Sequence, residues 1–374
     1  MMESTFSLLE KEIEKGIKAE NESIDIGLPK IGKYANIRKR IFTLLFSTSG
    51  AGKSSFLDTI ILNSCNNLME CKGTKTAQFI LFSTERSSIL RMAKWLSHTI
   101  FIKEGIIIPV PKIMGWYDDK LTKSELSLIS SYKPYFDQVM NDYIIIHEGA
   151  KNPMAFYKIL KDYFEANGTY EEKGYKQTYH AKNENKIVIP MIDHGNLTKT
   201  TKDLPSKKQA VDKLVEIMQE FRDLEAASVW WVSQVNRNIS GVSRQKDGEH
   251  ELVMEDIKES ADMGDASDLA ISIFNPIAYN QSSKTGYNPL DFVDKKTGEN
   301  HFRSVQILKS TYGMDQLRIP YSFNGACGQF KELPKKSDLS DGEYNSLITS
   351  VLNKSYFLQN KPKKLLSMTE ALNK

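Results

Sequence analysis

A segment of small residues near the N-terminus has the composition of a phosphate-binding loop. Residues 47–54 read Ser-Thr-Ser-Gly-Ala-Gly-Lys-Ser and lie between an apolar run and an apolar helical pattern. Glycines in such a turn let backbone N–H groups approach phosphate oxygens, and the helix that follows directs its electropositive end at the same anion. The segment therefore predicts a nucleotide site whose binding residues are Ser49, Gly50, Ala51, Gly52, Lys53, Ser54 and Ser55.

Lys53 and Ser54 have the chemistry that nucleotide hydrolysis needs at such a loop. A lysine at this position reaches the β- and γ-phosphates, and the hydroxyl of the next residue is a ligand for Mg²⁺. The usual pattern begins with a glycine, where this chain has Ser47. The alternative is a strand-to-helix turn of small residues that binds nothing. We predict ATP and Mg²⁺ as cofactors.

Two acidic residues follow apolar runs, as the metal and the attacking water require. Asp193 ends the run 187–192, and a carboxylate there can hold Mg²⁺ directly or through water. An aspartate at a strand end is as often a turn cap. Glu85 ends the run 79–83 and can orient water, or it can cap the helix that starts near Ser87.

Apolar runs that alternate with helical patterns predict the elements that position these residues. The alternation indicates an α/β fold with a largely parallel, twisted sheet flanked by helices, and two closely spaced runs predict a C-terminal β-hairpin. Polar stretches at 166–185, 240–251 and 275–301 are predicted to be surface loops. The predicted strands are 41–46, 77–83, 143–147, 186–192, 228–233, 269–274, 303–309 and 317–323.

Five segments, in order, resemble the DnaB-type replicative helicases. An apolar strand that ends Ser-Gln-Val-Asn-Arg is similar to the fourth motif of that family, and Glu-Asp-Ile-Lys-Glu-Ser is similar to its Asp-Leu-Arg-Glu-Ser stretch. Phe-Ser-Thr-Glu resembles the family's Ser-Leu-Glu. The last two segments resemble its strand ending Lys-x-Arg-x-Gly and its closing strand. The five segments lie at 82–85, 230–237, 254–260, 305–313 and 323–330.

The resemblance implies a domain organisation. Residues 25–334 are expected to form a RecA-like P-loop NTPase core that acts as the ATPase and helicase domain. Residues 1–24 carry an amphipathic pattern where the family has a linker helix that packs on an adjacent subunit. We expect no counterpart of the family's separate N-terminal helical domain. Residues 335–374 are predicted to be a polar C-terminal tail, partly disordered or a docking helix.

The resemblance also implies site roles. Lys53 and Ser54 hold phosphate and Mg²⁺, Asp193 is the Walker B acid, and Glu85 polarises the attacking water. Gln234 is implied to be the sensor between the γ-phosphate and the DNA loops. Lys258 and Glu259 are implied to lie on the loop that follows the DNA backbone, with Lys258 where the family has arginine.

One position departs from the family at the arginine finger. The family inserts the arginine of Lys-x-Arg into the neighbouring active site, and here the sequence is Lys309-Ser310-Thr311. An arginine finger contributes about 10³–10⁵ in rate. Either Lys309 has a catalytic role, or Arg303 or Arg318 substitutes, or turnover is slow.

Basic residues after the sensing motifs predict contact with single-stranded DNA. Lys199, Lys202, Lys207 and Lys208 follow Asp193; Arg237, Arg244 and Lys246 follow Gln234; and Lys258 lies further along. Such residues contact successive phosphates, although solvated loops have the same composition. The net charge, 50 Lys and Arg against 47 Asp and Glu, excludes a polycation, so any DNA contact must be a local patch.

The remaining composition indicates an intracellular globular protein. Three cysteines make a disulfide framework improbable, and the six histidines form no metal-ligand cluster. No run approaches the ~18 apolar residues that span a bilayer, and the N-terminus lacks a signal-peptide core. We therefore expect the cytoplasm of a bacterial or phage-infected cell and no membrane partner.

The predicted function is an ATP-dependent helicase or translocase of the DnaB type that acts on single-stranded DNA in replication. The expected assembly is a homo-oligomeric ring or spiral, a hexamer as in the family, with a loader or primase as a further partner. Two alternatives stay open. One is a RecA-like DNA-binding ATPase that does not unwind, such as a recombination mediator or filament former. The other is a nucleotide-binding scaffold without motor activity.

Overall fold

Thirteen strands occur in the residues that the computed structural model describes, which are 4–17, 23–70, 75–116, 118–235, 251–257, 262–313 and 315–358. In chain order the strands are β1 Ser23–Ile24, β2 Ile37–Arg38, β3 Phe42–Ser47, β4 Thr76–Ser83, β5 Ile144–Glu148, β6 Gly168–Lys173, β7 Lys176–Ala181, β8 Lys186–Asp193, β9 Val229–Gln234, β10 Leu269–Phe274, β11 Phe302–Ser310, β12 Leu317–Asn324 and β13 Gln329–Glu332.

Helices connect the strands along the same described ranges. In chain order they are α1 Thr5–Ile17, α2 Pro29–Ala35, α3 Lys53–Glu70, α4 Ser88–Glu104, α5 Val110–Ile113, α6 Lys123–Ser131, α7 Lys133–Asp142, α8 Pro153–Asn167, α9 Lys207–Leu224, α10 Asp262–Ala266, α11 Asp341–Leu352 and α12 Ser355–Leu358. Short 3-10 turns lie at Gly195–Leu197, Met254–Asp256, Pro276–Tyr279, Pro289–Phe292 and Lys336–Asp338. No helix in these ranges combines the length and apolar character needed to cross a bilayer.

Nine of the strands form one sheet in the order β13-β12-β11-β10-β3-β9-β8-β4-β5. The strands from β10 to β5 in this order pair in parallel. On the other side of β10, the strands β11, β12 and β13 pair antiparallel. The predicted α/β class, the largely parallel sheet and the C-terminal hairpin are confirmed, and β13 extends that hairpin by one strand.

The sheet is buried on both faces because its strands are almost continuously apolar, as parallel sheets require. Every residue of β3 is buried. Leu45 points into a core that includes Ile60 of α3 and Trp95 of α4. Leu44 and Phe46 point to the opposite core, which α8 and α9 complete. Helices on both faces therefore fix β3, and with it the phosphate-binding segment that follows it.

The structure corrects the predicted loop at 166–185. Strands β6 and β7 form an antiparallel hairpin in this stretch. Tyr170 and Tyr179 pack their rings 5.1 Å apart, and Tyr179 lies 5.4 Å from Phe164 of α8. The sequence pattern indicates a loop because the other side chains of the stretch are polar and give no apolar alternation.

A third apolar cluster lies outside the two sheet cores. It combines the predicted loop at 275–301 with the C-terminal segment, through Tyr287, Phe292, Val351 and Phe357. The division of the chain at residue 334 stays a prediction. Within the described part of the C-terminal segment, however, α11 and α12 supply buried side chains, which fits a docked helix better than a solvated tail.

Candidate active site

The phosphate-binding segment is a tight connection between the central strand and its helix. β3 ends at Ser47 and α3 begins at Lys53. Gly50 and Gly52 have φ of +76° and +102°, which strain any residue with a Cβ. A Cβ on Gly52 would lie 2.8 Å from Cζ of Phe330, whereas one on Gly50 would meet nothing within 4 Å. Ser47 is an ordinary strand residue here, so the missing first glycine costs the loop no conformational freedom.

The strand register brings the predicted chemical residues to one edge of the sheet. Ser47 pairs with Gln234, Asp193 with Val232, and Ser83 with Asp193. Since these strands are parallel, their carboxyl ends meet at the edge where α3 begins. Lys53, Asp193, Glu85 and Gln234 therefore surround one location, although they come from distant parts of the sequence.

Ser54 and Asp193 form the pair expected of a magnesium site. The Ser54 hydroxyl donates to Oδ1 of Asp193 at 3.2 Å, and both side chains are buried. Mg²⁺ in nucleotide sites takes one or two protein oxygens and completes its shell with phosphate and water. Within the described residues, no group of three or more His, Cys, Asp or Glu side chains could hold a metal ion. One hydroxyl and one carboxylate supply the few protein oxygens that Mg²⁺ takes in a nucleotide site, so this pair fits a metal bound together with nucleotide.

Lys53 is a buried cation beside two carboxylates. Only 8% of its surface is exposed. Burial lowers the pKa of Lys53, while the negative charges of Glu85 and Asp193 oppose that shift. Glu85 itself is exposed at the end of β4. A buried ammonium at the start of a helix, next to a loop open at Gly50, fits an anion such as the phosphate chain of ATP.

His194 is a site residue to which the sequence assigned no role. It is 3% exposed, and burial followed by the charge of Lys53 lowers its pKa. Glu85 and Asp193 oppose the shift, as does a hydrogen bond to the Gln234 side chain. The Thr84 hydroxyl accepts from the His194 N–H at 2.9 Å, which ties the end of β4 to the end of β8. His194 thus links the predicted water-orienting acid to the predicted sensor.

A buried ion network supports Asp193 from behind. The guanidinium of Arg91, on α4, contacts Oδ2 of Asp193 and also donates to Oδ1 of Asp58 at 2.8 Å. Lys94 binds the other oxygen of Asp58 at 3.1 Å. Burial lowers the pKa of Arg91, but the two carboxylates outweigh that effect and raise it. Sequence reasoning missed these residues. The available signal was a charged residue within the apolar face that Trp95 and His98 share.

Arg303 contacts the phosphate-binding segment of its own chain. Its Nε donates to the Ala51 carbonyl at 2.9 Å, and its guanidinium lies 4.7 Å from the Phe323 ring centroid. Burial lowers the pKa of Arg303 to about 10. The side chain is 5% exposed and is occupied within the subunit, so the structure gives no support to Arg303 as a finger for a neighbouring site.

The other finger candidates are also engaged within the chain. Lys309 donates through Nζ to the carbonyls of Gly264 at 2.9 Å and Asp265 at 3.1 Å. Arg318 donates through Nε to Glu251 at 2.6 Å. Thr311, at the finger position itself, is exposed. None of these observations selects a finger.

The structure describes only part of the predicted DNA surface. Lys199 and Lys202 are exposed on the connection between Asp193 and α9. Arg237, Arg244, Lys246, Lys258 and Glu259 lie outside the described residues, and their predicted contacts stay predictions.

Comparison with known proteins shows a fold likeness without sequence-level support. No protein-family model matches the chain, and no curated protein matches it. A solved structure described as a DnaB-like replicative helicase, studied with its interactions with primase, matches at a TM-score of 0.64 and 16% identity. That alignment covers 89% of this chain and 69% of the other. A second solved structure, described as an ATPase domain, matches at 0.63 and 16% identity, over 89% of this chain and all of that domain.

Proposed function

We propose that this chain, which has the RecA-like fold of the DnaB-like helicase ATPase domain, is an ATP-driven motor that acts on single-stranded DNA in replication. One observation carries the proposal. The Ser54 hydroxyl meets Asp193 at 3.2 Å beside the buried Lys53, at the edge where Glu85 and Gln234 also lie. Phosphoryl transfer to water requires ligands for the metal, a cation that binds the phosphates and a carboxylate that orients the attacking water.

Each residue has a distinct role in the proposal. When bound, ATP supplies the electrophilic γ-phosphate, and Mg²⁺ neutralises its charge. The backbone of residues 49–55 and the Lys53 ammonium bind the phosphates, while Ser54 and Asp193 hold the metal. Glu85 orients the attacking water. Gln234, hydrogen-bonded to His194, transmits the state of this site to the connection after β9.

We extend the proposal to partners. Lys199 and Lys202, with Arg237, Lys258 and Glu259, form the single-strand contact surface. The nucleotide lies at an interface in a ring or spiral of identical subunits, six in the DnaB arrangement. A loader or primase is a further partner, since the DnaB-like match was studied with its primase interactions.

The test is ATP hydrolysis with and without single-stranded DNA, with Lys53→Ala as the blank. We expect DNA to stimulate turnover at least several-fold, because Gln234 joins the nucleotide site to the basic connections. Lys53→Ala should reduce turnover to the blank level, since the phosphates lose their cation. Full turnover in Lys53→Ala would refute the proposed site, and turnover indifferent to DNA would refute the motor.

The DNA surface has its own test. The double variant Lys199→Ala/Lys202→Ala should weaken single-strand binding and lower the slope of log affinity against log salt by about 1.4, or ~0.7 for each phosphate that the protein no longer neutralises. Fluorescence anisotropy over a salt series measures the slope. Lys213→Ala is the matched control, because Lys213 already pairs with Glu216 at 2.8 Å. An unchanged slope in the double variant would show that the connection between Asp193 and α9 does not contact single-stranded DNA.

A second candidate is a DNA-binding ATPase that does not unwind. The observation that favours it is the finger position, where Thr311 replaces arginine and Lys309 is bound to two carbonyls of its own chain. Without a finger, turnover falls by orders of magnitude. A strand-displacement assay on a forked duplex separates the two candidates, since only the motor releases the displaced strand. ATP binding without hydrolysis would instead identify a scaffold.

A further inference from the structure

Arg91 joins two carboxylates of different elements inside the protein. Its NH1 donates to Asp58 of α3 and its NH2 contacts Asp193 of β8. The side chains of Arg91, Asp58 and Asp193 are 1%, 5% and 4% exposed. A buried charge is costly unless it is paired and hydrogen-bonded. If the guanidinium served only to hold α4 on α3, Asp58 alone would satisfy that purpose, so the contact with Asp193 calls for a second explanation.

The contact divides the oxygens of Asp193 between two partners. Oδ1 accepts from the Ser54 hydroxyl at 3.2 Å, while Oδ2 faces Arg91. Rotation of the carboxylate is thereby restricted, and Oδ1 stays on the side of the candidate metal position. At the same time the guanidinium already compensates the charge that would attract a cation. Residues behind a metal ligand commonly both orient it and tune its affinity.

We propose that Arg91 is a positioning residue that weakens the binding of a divalent cation at Ser54 and Asp193 alone, so that the cation binds tightly only together with nucleotide phosphates. Asp58 reduces this effect, because it pairs with the same guanidinium and compensates part of the positive charge that would otherwise act on Asp193. The inference rests on the proposed function and adds to it a rule for the order of binding.

The test measures Mn²⁺ binding to nucleotide-free full-length protein by electron paramagnetic resonance. Asp58→Asn should weaken Mn²⁺ binding by about threefold or more, since the whole guanidinium charge then faces Asp193. Adding Arg91→Gln to that variant should tighten binding by about tenfold or more relative to Asp58→Asn. Glutamine keeps an N–H donor without the charge, and the Asp58→Asn background removes the buried carboxylate that would otherwise keep only Lys94 as a cationic partner.

A purely structural bridge gives a different pattern. It predicts that both changes loosen the contact of α3 with α4 and move Mn²⁺ affinity in the same direction or not at all. Lys103→Gln, in the last turn of α4 and ~18 Å along the helix from Arg91, is the matched charge control and should leave Mn²⁺ binding unchanged. Circular dichroism verifies the fold of each variant.

Opposite shifts in the two variants support the inference, and equal or absent shifts overturn it. If the double variant does not fold, Asp58→Asn decides the question alone, because unchanged or tighter Mn²⁺ binding in it contradicts the sharing of Arg91. The proposed function fails separately. It is lost if the wild-type protein shows no Mg²⁺-dependent binding of a fluorescent ATP analogue, whereas the inference is lost if that binding is present and the Mn²⁺ shifts are not.

Discussion

His98 is a buried residue whose ionisation should make the stability of the protein depend on pH. It lies on α4 beside the ion network, and burial lowers its pKa to about 4, a shift that the charge of Asp58 opposes. The unfolded chain takes up this proton near the ordinary value of 6.5, whereas the folded chain does not. The unfolded state therefore binds more protons between these two values, and the free energy of unfolding falls as pH falls through that window.

We expect His98 to remove about 2 kcal/mol of stability between about pH 7 and about pH 5. The His98→Gln protein has no ionisable group at this position, so its free energy of unfolding should fall by about 2 kcal/mol less over the same pH interval. Urea unfolding of both proteins at the two pH values measures the difference, and the comparison cancels the other histidines. Parallel pH profiles for the two proteins would show that His98 is already accessible to protons in the folded state.

Site residues that lie at or just after the end of an apolar strand could be predicted from the sequence. Site residues whose contacts depend on how helices pack could not. Lys53 and Asp193 follow apolar runs that set their positions at the sheet edge. Arg91 contacts Asp58, 33 residues away, and Asp193, 102 residues away. Those contacts depend on how α4 lies against α3 and the sheet, which no local pattern specifies. A charged residue on an apolar helix face indicates a buried partner but does not identify it.

The phosphate-binding segment is supported as an element by the closing hairpin. The ring of Phe330, on β13, lies against Gly52, and the Phe323 and Phe330 centroids are 4.6 Å apart. Gly52 and Gly50 both have positive φ, so an alanine at either position strains the backbone by about 1–2 kcal/mol. Only at Gly52 does the added Cβ also collide with a ring, at 2.8 Å.

We therefore expect Gly52→Ala to lose at least about tenfold more nucleotide affinity than Gly50→Ala. The added Cβ must displace either the hairpin or the backbone N–H groups that bind phosphate. Titration with a fluorescent ATP analogue measures both. Replacing the ring in Gly52→Ala/Phe330→Leu should restore part of the loss, because leucine does not reach the Cζ position. Equal losses of nucleotide affinity in the two alanine variants would mean that the hairpin does not hold the phosphate-binding segment in its conformation.

A strand could be predicted from the sequence when its residues form an uninterrupted apolar run. The buried strands β3, β4 and β8 coincide with apolar runs to within one or two residues, because a strand covered on both faces must be apolar throughout. The hairpin of β6 and β7 was missed because its side chains are mostly polar and exposed. Its apolar contacts come from single tyrosines, which give no periodic signal.

At the scale of the whole molecule, the least predictable feature is the third apolar cluster. It draws Phe101 from α4, Tyr287 and Phe302 from the middle of the chain, and Val351 and Phe357 from the C-terminal segment. Each individual helix, strand or turn contributes only one or two buried side chains to this cluster, so none of them is apolar enough to be recognised alone. Tyr356 also donates to the Glu332 carbonyl at 2.5 Å, which joins the C-terminal segment to the strand that carries Phe330.

Helix α1 carries an apolar stripe that is exposed to solvent in the single chain. Phe6, Leu9, Ile13 and Ile17 lie on one face and are 66%, 51%, 51% and 80% exposed. Contiguous exposed apolar residues on an amphipathic helix are typical of an interaction site. Under the proposed function, this face packs on the next subunit of the ring or spiral.

We expect Leu9→Glu/Ile13→Glu to reduce the assembly to monomers or small oligomers, because two carboxylates would have to be buried in the subunit interface. Sedimentation velocity measures the mass, and Glu10→Gln, an exposed polar change on the same helix, is the control that should keep the assembly intact. ATP hydrolysis should fall with the mass, since the proposed site lies between subunits. An unchanged mass in the double variant would place the interface elsewhere on the ATPase domain, and a fall in mass with full hydrolysis would place the complete catalytic site within one subunit.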